Sequence, residues 1–168
     1  MYKVFLAIGG NLGDRANYLS QMVEQVRSKI GKVNLSSSIY ESEPWGFESD
    51  QPFLNQVLEV ETKLSPLCLL DACQQIEKSL GRDRYTDGYA PRTADIDILF
   101  IDNFIFTLPP LVLPHKFLHE RLFVLEPLAE IAPDFVHPLL GQSISSIKTQ
   151  CADKNRVWKY QSYDVKTT

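Results

Sequence analysis

The sequence has no long apolar run, no signal-peptide pattern and little excess charge. No uninterrupted apolar stretch approaches the roughly 20 residues that a membrane-spanning helix needs, and the N-terminus lacks the features of a secretory signal. We therefore expect a cytoplasmic protein. The formal net charge of −4 argues against general nucleic-acid binding, which depends on clustered excess lysine and arginine. A local basic cleft remains compatible with this balance.

Cysteine is scarce, and its pattern does not indicate a metal site. Cys68, Cys73 and Cys151 form an odd set without the spacing of metal ligands. Cys68 and Cys73 fall within an apolar pattern of helical spacing, so we predict that both are buried thiols. We assign no chemistry to these side chains.

Glycine-based nucleotide signatures are also missing. The sequence contains no Walker A motif, and the turn at residues 9–14 lacks the G-x-G-x-x-G spacing of dinucleotide-binding proteins. We interpret this segment as a structural turn, because glycine chiefly permits unusual backbone angles. Direct phosphate binding is the alternative. If the turn is structural, any nucleotide must be held by side chains and metal ions.

The remaining composition is ordinary for a soluble domain. A chain of 168 residues, 44% hydrophobic and 23% charged, is long enough to bury a substantial core. It contains no internal repeat, low-complexity segment or convincing domain boundary. We therefore expect one domain over residues 1–165, followed by a frayed tail at 166–168.

Hydrophobic periodicity and turn residues predict a mixture of strands and helices. The predicted elements of the first part are strand 2–8, helix 15–30, strand 32–43, strand 53–64, helix 66–80 and a strand that begins at residue 95. This order is the split βαβ pattern, so we expect an α/β (α+β) fold with a ferredoxin-like βαββαβ core. A short strand at 103–106, a helix at 121–130 and a strand at 157–160 would add a C-terminal segment.

Two carboxylates, Asp95 and Asp97, stand two residues apart at the start of an apolar, β-favouring run. Because successive side chains of a strand alternate, both acids should point to one face, and Ile96, Ile98 and Phe100 to the other. The acids' Cα atoms would lie about 7 Å apart, so converging carboxylates could hold metal ions roughly 4 Å from each other. Two solvated acids on an exposed strand are the alternative. We favour metal ligation, because Asp is depleted in strands and a divalent cation removes the repulsion between like charges.

Arginines precede this strand. Arg92 lies just upstream of the acids and cannot lose its proton, so it offers a fixed cation for phosphate. Arg82, Arg84 and Arg92 surround the polar loop 82–91. A mobile arm that closes over polyphosphate and an ordinary solvated loop are both compatible with this cluster. Carboxylates beside arginine indicate metal-assisted phosphoryl chemistry.

Aromatic and amide side chains indicate a second binding feature. Phe53 and Asn55 share one face of a predicted strand, and an aromatic surface beside an amide suits a flat heterocycle. Taken alone, Phe53 is more often a core residue. Trp45 and Phe123 could supply a second aromatic wall.

The histidines are less informative. His115 could contact phosphate or cap a turn, and the sequence leaves both possibilities open. His119 and His137 show no pattern of partners, and we predict that both lie at the surface.

Several motifs occur in a fixed order along the chain. They are Ile8-Gly9-x-Asn11-Leu12-Gly13-Asp14, then Pro44, Gly46 and Asn55, then Pro91-Arg92-x-x-Asp95-x-Asp97, Leu113-Pro114-His115 and Arg121-x-Phe123-Val124-Leu125-x-Pro127-Leu128. Together they resemble the 6-hydroxymethyl-7,8-dihydropterin pyrophosphokinase family. The resemblance extends from residue 8 to about residue 138, which is nearly the whole chain except its tail.

This resemblance implies transfer of the β,γ-diphosphate of ATP to the hydroxymethyl group of a reduced pterin in folate biosynthesis, with release of AMP. It also implies a ferredoxin-like fold that holds ATP and pterin side by side. Carried over by position, Asp95 and Asp97 would bind two Mg²⁺ ions that bridge the ATP phosphates, one of which would also contact the substrate hydroxyl. Arg82 and Arg92 would stabilise the transferring group, and Arg84 would be a lesser contact.

The resemblance also implies two sets of binding residues. The ATP side would be lined by Gln74, Glu77, Ile98, Leu111, Val112, His115, Lys116 and Arg121. The pterin side would be formed by Ser42, Pro44, Trp45, Gly46, Phe53, Asn55, Tyr89 and Phe123. Trp45 occupies a position where the family often has a smaller apolar residue.

Other functions fit parts of this pattern. A two-metal phosphohydrolase would also use the carboxylate pair, and a non-catalytic ferredoxin-like module could bind the same ligands. We expect a monomer whose partners are the small molecules ATP and reduced pterin, without nucleic acid or membrane.

Overall fold

The computed structural model describes residues 1–46, 48–81 and 93–162. Its elements in chain order are β1 (Tyr2–Gly10), α1 (Arg15–Lys29), β2 (Gly31–Ser36), β3 (Tyr40–Ser42), β4 (Phe53–Thr62), α2 (Pro66–Ser79), β5 (Asp95–Ile101), a 3₁₀ turn (Leu118–Glu120), α3 (Leu122–Ile131), α4 (Ile144–Gln150) and β6 (Val157–Lys159). This order confirms the predicted α+β fold. Within the described ranges, no helix has the length and hydropathy needed to cross a membrane.

The strands form one antiparallel sheet. Its order is β5-β1-β4-β3-β6, and β2 pairs with β4 beside β3. β1 is therefore hydrogen-bonded on both sides, to β4 over its whole length and to β5 over most of it. β1 is therefore an interior strand of the sheet, whereas β5 is an edge strand.

Helices cover the two faces of the sheet. On one face, α1 and α2 pack Leu19, Met22, Leu69 and Ile76 against the sheet. On the other face, α3 and α4 pack around a smaller cluster that includes Phe5. The sheet is therefore buried on both faces, but the second face is covered by shorter helices, and part of it stays open.

The predicted long strand 32–43 is two strands in the structure. β2 and β3 both pair with β4, and the chain leaves the ladder between them. At this break, Ser37 N–H donates to Val57 O, and Val57 N–H donates to Ser37 Oγ, both at 2.9 Å. A side-chain hydroxyl thus replaces a backbone acceptor, so β4 keeps its hydrogen bond although the strand is interrupted.

The prediction that Phe100 shares a face with Ile96 and Ile98 is wrong. The pairing of β1 with β5 shifts between Phe5 and Leu6, so that Phe5 faces Phe100 and Leu6 faces Ile98. This irregularity turns Phe100 to the face of α3, where it packs against Phe5. One extra residue in a strand reverses the alternation beyond it.

Four smaller predictions also differ from the structure. Cys68 is exposed, because it lies on the outer side of α2, whereas Cys73 is buried as predicted. His137 is buried, and its Nδ1 accepts the N–H groups of Leu139 and Leu140 at 3.2 and 3.1 Å. Residues 103–106 form only an isolated bridge, between Phe106 and Leu113. Helix α4 was not expected.

Candidate active site

Asp95 and Asp97 project from β5 beside two small residues of β1. Asp95 pairs with Gly9, and Asp97 pairs with Ala7. Paired residues on adjacent strands point to the same face. Both carboxylates therefore stand beside a shallow surface formed by Ala7 and Gly9, which is the floor of the site. Ile96, between them, is buried in the core on the opposite face. The two acids share one face, as their spacing predicts.

Gly9 gives this floor its shape. A Cβ atom at Gly9 would lie 2.7 Å from the backbone oxygen of Leu54 and 2.9 Å from Oδ1 of Asn55. Gly9 pairs with Asn55 of β4 on one side and with Asp95 of β5 on the other. With neighbouring strands about 4.8 Å apart, the amide and the carboxylate are attached to backbones about 10 Å apart across one glycine.

A hydrogen bond fixes the orientation of the Asn55 amide. Asn55 is 8% exposed, and its Nδ2 donates to Oγ of the buried Ser42 at 2.7 Å. The carbonyl oxygen therefore points toward Gly9, which is consistent with its 2.9 Å approach to the Cβ position there. An acceptor directed at the cleft suits a ligand that presents N–H groups.

Aromatic rings surround the guanidinium of Arg121 on the other wall. The guanidinium carbon of Arg121 lies 4.5 Å from the ring centroid of Trp45, 5.1 Å from Phe117 and 5.7 Å from Phe123. Arg121 is only 6% exposed. Cation–π attraction strengthens when the pair is withdrawn from water, so this cluster holds a positive charge at a defined place on the cleft wall.

His115 stands next to the acids. Its Nε2 lies 3.9 Å from Oδ2 of Asp97, and its backbone N–H donates to Leu99 O of β5 at 2.9 Å. Burial, together with the positive charge of Arg121, lowers the pKa of His115 to about 4, although Asp95 opposes this shift. Near pH 7 the ring is therefore neutral, and its contact with Asp97 is not an ion pair.

The position of the His115 proton follows from one more contact. Phe117 N–H donates to Nδ1 of His115 at 3.2 Å. Because Nδ1 accepts, the neutral ring carries its proton on Nε2, the nitrogen that faces Asp97. The ring can thus donate one hydrogen bond beside the carboxylate pair.

The two acids, Asn55, Arg121, Trp45 and Phe123 line one cleft, whereas His115 and Phe117 are not among its lining residues. Together with its open mouth it contains about 590 Å³ of empty space. Its lining residues are Ala7, Ile8, Gly9, Ser42, Glu43, Trp45, Phe53, Asn55, Gln56, Val57, Asp95, Asp97, Arg121, Phe123 and Val124. The acids, the amide and the aromatic wall that the sequence singled out are therefore brought together.

Some predicted site residues lie elsewhere. The side chain of Ile98 is buried in the core beneath α1 and α2, on the sheet face opposite the acids. Gln74 and the buried Glu77 belong to α2 on that same side. These three side chains do not line the cleft, because strand alternation and the position of α2 turn them away from it.

Other predicted residues lie at or beyond the periphery. Leu111 is buried in the core under α1 and α2, whereas Val112 and Lys116 are exposed. Pro44 and Gly46 flank Trp45 in the loop after β3. The predicted roles of Arg82, Arg84, Tyr89 and Arg92 fall outside the described residues.

Sequence reasoning missed several contributors to the cleft. Ala7, Val57 and Gln56 enter it because of strand register, which no local pattern reveals. Phe117, which contacts Arg121 and His115 beside the cleft, was also missed, although an aromatic residue two positions after His115 could have indicated it.

Comparison with known proteins identifies the family. The family profile of 7,8-dihydro-6-hydroxymethylpterin-pyrophosphokinase (HPPK) matches residues 5–133. A 2-amino-4-hydroxy-6-hydroxymethyldihydropteridine pyrophosphokinase of Bacillus subtilis is 41% identical over 159 residues, which cover 94% of this chain and 91% of the relative. The enzyme of the same name from Aquifex aeolicus is 37% identical over 151 residues, 89% of this chain and 92% of the relative.

Solved structures agree in fold. The structure of Plasmodium falciparum HPPK-DHPS wild type with STZ-DHP matches with a TM-score of 0.73 at 16% identity, over 89% of this chain and 43% of the solved chain. At that identity the likeness concerns the fold alone, and this chain spans less than half of the larger one. The chain belongs to the 7,8-dihydro-6-hydroxymethylpterin-pyrophosphokinase family, and its activity is pyrophosphoryl transfer from ATP to hydroxymethyldihydropterin in folate biosynthesis.

Proposed function

We propose that the transfer takes place in this cleft, with Asp95 and Asp97 as ligands of two Mg²⁺ ions. The chemistry of the donors supports the fit, because Mg²⁺ prefers oxygen ligands and is held by one or two carboxylates together with substrate phosphates. Among the described residues there is no group of three or more acidic, histidine or cysteine side chains that could hold a metal ion alone. A site completed by ATP is compatible with that pattern.

When bound, the ions would neutralise phosphate charge and favour deprotonation of the attacking hydroxyl. The protein's part is orientation. Asp95 and Asp97 stand on β5, the edge strand of the six-stranded sheet, and the pairing of β5 with the interior strand β1 fixes their backbone positions. His115 offers the Nε2 proton to a phosphate oxygen, and its depressed pKa keeps the ring neutral at working pH.

The order of groups across the floor carries this proposal. Asn55, Gly9 and Asp95 are neighbours on three adjacent strands. A pterin whose N–H groups reach Asn55 would therefore extend toward the acids that hold the nucleotide. Phe53, Trp45 and Phe123 supply aromatic surfaces for its ring.

A cationic set would complete the phosphate side. We propose Arg121 from the cleft wall, and Arg82, Arg84 and Arg92 from the resemblance, as groups that neutralise the transferring phosphates. Tyr89 is proposed as a further contact to pterin. Val112 and Lys116 are proposed to form the outer wall of the ATP side, and Gln74, Glu77, Ile98 and Leu111 remain proposals that rest on the resemblance.

The decisive experiment separates a kinase from a phosphohydrolase. The protein is incubated with ATP, hydroxymethyldihydropterin and Mg²⁺, and the products are identified by chromatography. We expect AMP and pterin diphosphate in equal amounts, and neither product after chelation of Mg²⁺. Release of phosphate or diphosphate without pterin would support the phosphohydrolase instead. The number of ions is measured by titrating Mn²⁺ in the presence of a non-hydrolysable ATP analogue.

We also propose that the protein acts as a monomer in the cytoplasm. Both proposed substrates, ATP and reduced pterin, are small molecules. Light scattering during size-exclusion chromatography, with and without both substrates, tests this state. A stable dimer under assay conditions would contradict it.

A further inference from the structure

The segment between α4 and β6 contacts both walls of the cleft. This C-terminal turn, residues 153–156, lies outside the part of the chain that the family profile matches, residues 5–133. One of its contacts reaches the start of α3, and the others reach the segment after β3. The turn therefore joins the two chain segments that carry Arg121 and Trp45.

The first contact is made by Asp153. Helix α3 begins at Leu122, and the residue before it, Arg121, has no side-chain acceptor with which to cap the helix. Asp153, which lies 31 residues after Leu122 in the sequence, caps the helix instead: its Oδ2 accepts Leu122 N–H at 3.0 Å. A carboxylate is also favourable at the positive end of a helix. The backbone next to Arg121 is thus held by Asp153.

The second contact is made by Asn155. Its Nδ2 donates to Pro44 O at 3.2 Å, and its backbone N–H donates to Oδ1 of Asp153 at 2.9 Å. The residue held by Asn155 is the one before Trp45. The two carboxylate oxygens of Asp153 therefore link the loop contact and the helix contact within a single turn.

Arg156 strengthens the same connection. Its backbone N–H and Nε donate to the carboxylate of Glu43 at 3.0 and 2.9 Å, and Glu43 N–H donates to Arg156 O at 3.3 Å. Residues 43 and 44 are thus attached to the turn by four hydrogen bonds, counted over the residues the structure describes.

We propose that Asp153 and Asn155 are positioning residues that set the stacking of Arg121 on Trp45. The guanidinium and the indole lie 4.5 Å apart, and each follows or precedes a residue that the turn holds. The consequence for binding rests on the proposed function, in which this wall contacts the substrates. Without the turn, the wall would keep its residues but lose their alignment.

The experiment uses Trp45 as its own reporter. The sequence has two tryptophans, and Trp158 is changed to Phe so that the tryptophan fluorescence comes from Trp45 alone. In this background Asp153→Ala and Asn155→Ala are compared with Ser143→Ala. The control removes a helix cap in the same C-terminal region, since Ser143 Oγ accepts Ser146 N–H at 3.2 Å, but Ser143 does not line the cleft.

We expect acrylamide to quench Trp45 more strongly in both test variants than in the parent or the control. The KM for ATP or for pterin should rise about threefold to tenfold, the factor that corresponds to one net hydrogen bond, while kcat changes less. Asp153→Asn keeps one acceptor oxygen and should recover part of the loss.

Quenching equal to that of Ser143→Ala in both variants would overturn the proposal, whatever the kinetics. If Asp153→Ala fails to fold, as judged by circular dichroism, Asn155→Ala decides alone, because it removes one hydrogen bond and leaves the helix cap. Quenching needs no turnover and no metal. A failure of the proposed mechanism is therefore distinguishable from a failure of this inference.

Discussion

At the scale of single residues, the cleft depends on the absence of one side chain. Gly9 lies between the amide and the carboxylate that the proposed reaction needs, and a Cβ there would meet backbone Leu54 O at 2.7 Å. A backbone atom cannot rotate away as a flexible side chain can. The adjoining strands must therefore move apart if this position carries any side chain.

We predict that Gly9→Ala lowers stability by about 1–3 kcal/mol, the usual cost of overpacking, and also raises the KM for pterin. The reason is that the same Cβ would lie 2.9 Å from Oδ1 of Asn55. Urea denaturation and steady-state kinetics measure the two effects. Gly31→Ala is the matched control, because its Cβ would meet Glu61 O at 2.0 Å on β4 away from the cleft. It should destabilise without changing the KM of the folded enzyme.

His115 should make the stability of the protein depend on pH. The pKa of His115 is about 4 in the folded protein and 6.5 as the ordinary value. Between these values the unfolded chain binds a proton that the folded chain does not, so His115 reduces stability as pH falls through this window. Replacing it by Gln should therefore diminish the loss of stability between pH 7 and pH 5 by about 2 kcal/mol. Urea denaturation at several pH values measures the slope, and equal slopes for parent and His115→Gln would contradict the prediction.

At the scale of elements, α3 is joined to the break between β2 and β3. Glu130, near the end of α3, accepts Ser38 N–H at 2.8 Å, Ser38 Oγ–H at 2.9 Å and Tyr40 O–H at 2.5 Å. Burial raises the pKa of the Glu130 carboxyl, but the hydrogen bonds from Tyr40 and Ser38 outweigh it and leave the pKa lowered. Burial and the nearby carboxylate raise the pKa of Tyr40. One carboxylate thus joins a helix to the strand that carries Ser42.

We predict that Glu130→Gln and Tyr40→Phe each destabilise the protein by about 1–2 kcal/mol, and that their effects are not additive. Because the pKa of Glu130 is lowered on folding, its contribution is present above the ordinary value of 4.5 and is lost as pH falls below it. A double-mutant cycle in urea at pH 7 and again near pH 4 measures the coupling. Additive effects at pH 7 would show that the two side chains act independently.

Much of the element order could be predicted from the sequence. Apolar spacing along Leu69, Cys73 and Ile76 marks the inner side of α2, and the alternation of Asp95 and Asp97 places both acids on one face. The prediction succeeds there because apolar residues recur in the sequence with the same period at which a helix or a strand returns side chains to one face.

The rest depends on tertiary structure. The register of β1 and β5 shifts next to Phe5, and this shift turns Phe100 to the other face. It arises from strand pairing, so the local pattern of β5 does not predict it. The break at Ser37 is stabilised by Val57, twenty residues away. The cap of α3 comes from Asp153, which no rule for local capping can find.

At the scale of the whole molecule, the cleft lies over the open part of the face that α3 and α4 cover. The first core, under α1 and α2, stabilises the sheet, and the second face combines packing with an open site. Ligands that bind only the folded state should stabilise the whole domain by mass action.

We predict that Mg²⁺ and ATP together raise the melting temperature, by an amount equivalent to about 2.7 kcal/mol at a hundredfold excess over Kd. Asp95→Asn with Asp97→Asn should abolish this rise, because the proposed ligands of the ions are gone. Asp102→Asn is the control, an acid-to-amide change just after the end of β5 at a residue that accepts Lys3 N–H. Differential scanning fluorimetry measures all three, and an unchanged shift in the double variant would contradict the proposed metal site.

The place of β1 in the sheet has a consequence for motion. Its amides bond to partners on either flank, and such doubly flanked strands belong to the part of a protein whose amide hydrogens exchange last. In the proposed binding mode, the part of β1 between the pterin and the phosphates should keep its hydrogen bonds during partial opening events. We therefore expect substrates to enter and leave the proposed site while the spacing between Asn55 and Asp95, which both pair with Gly9, changes little.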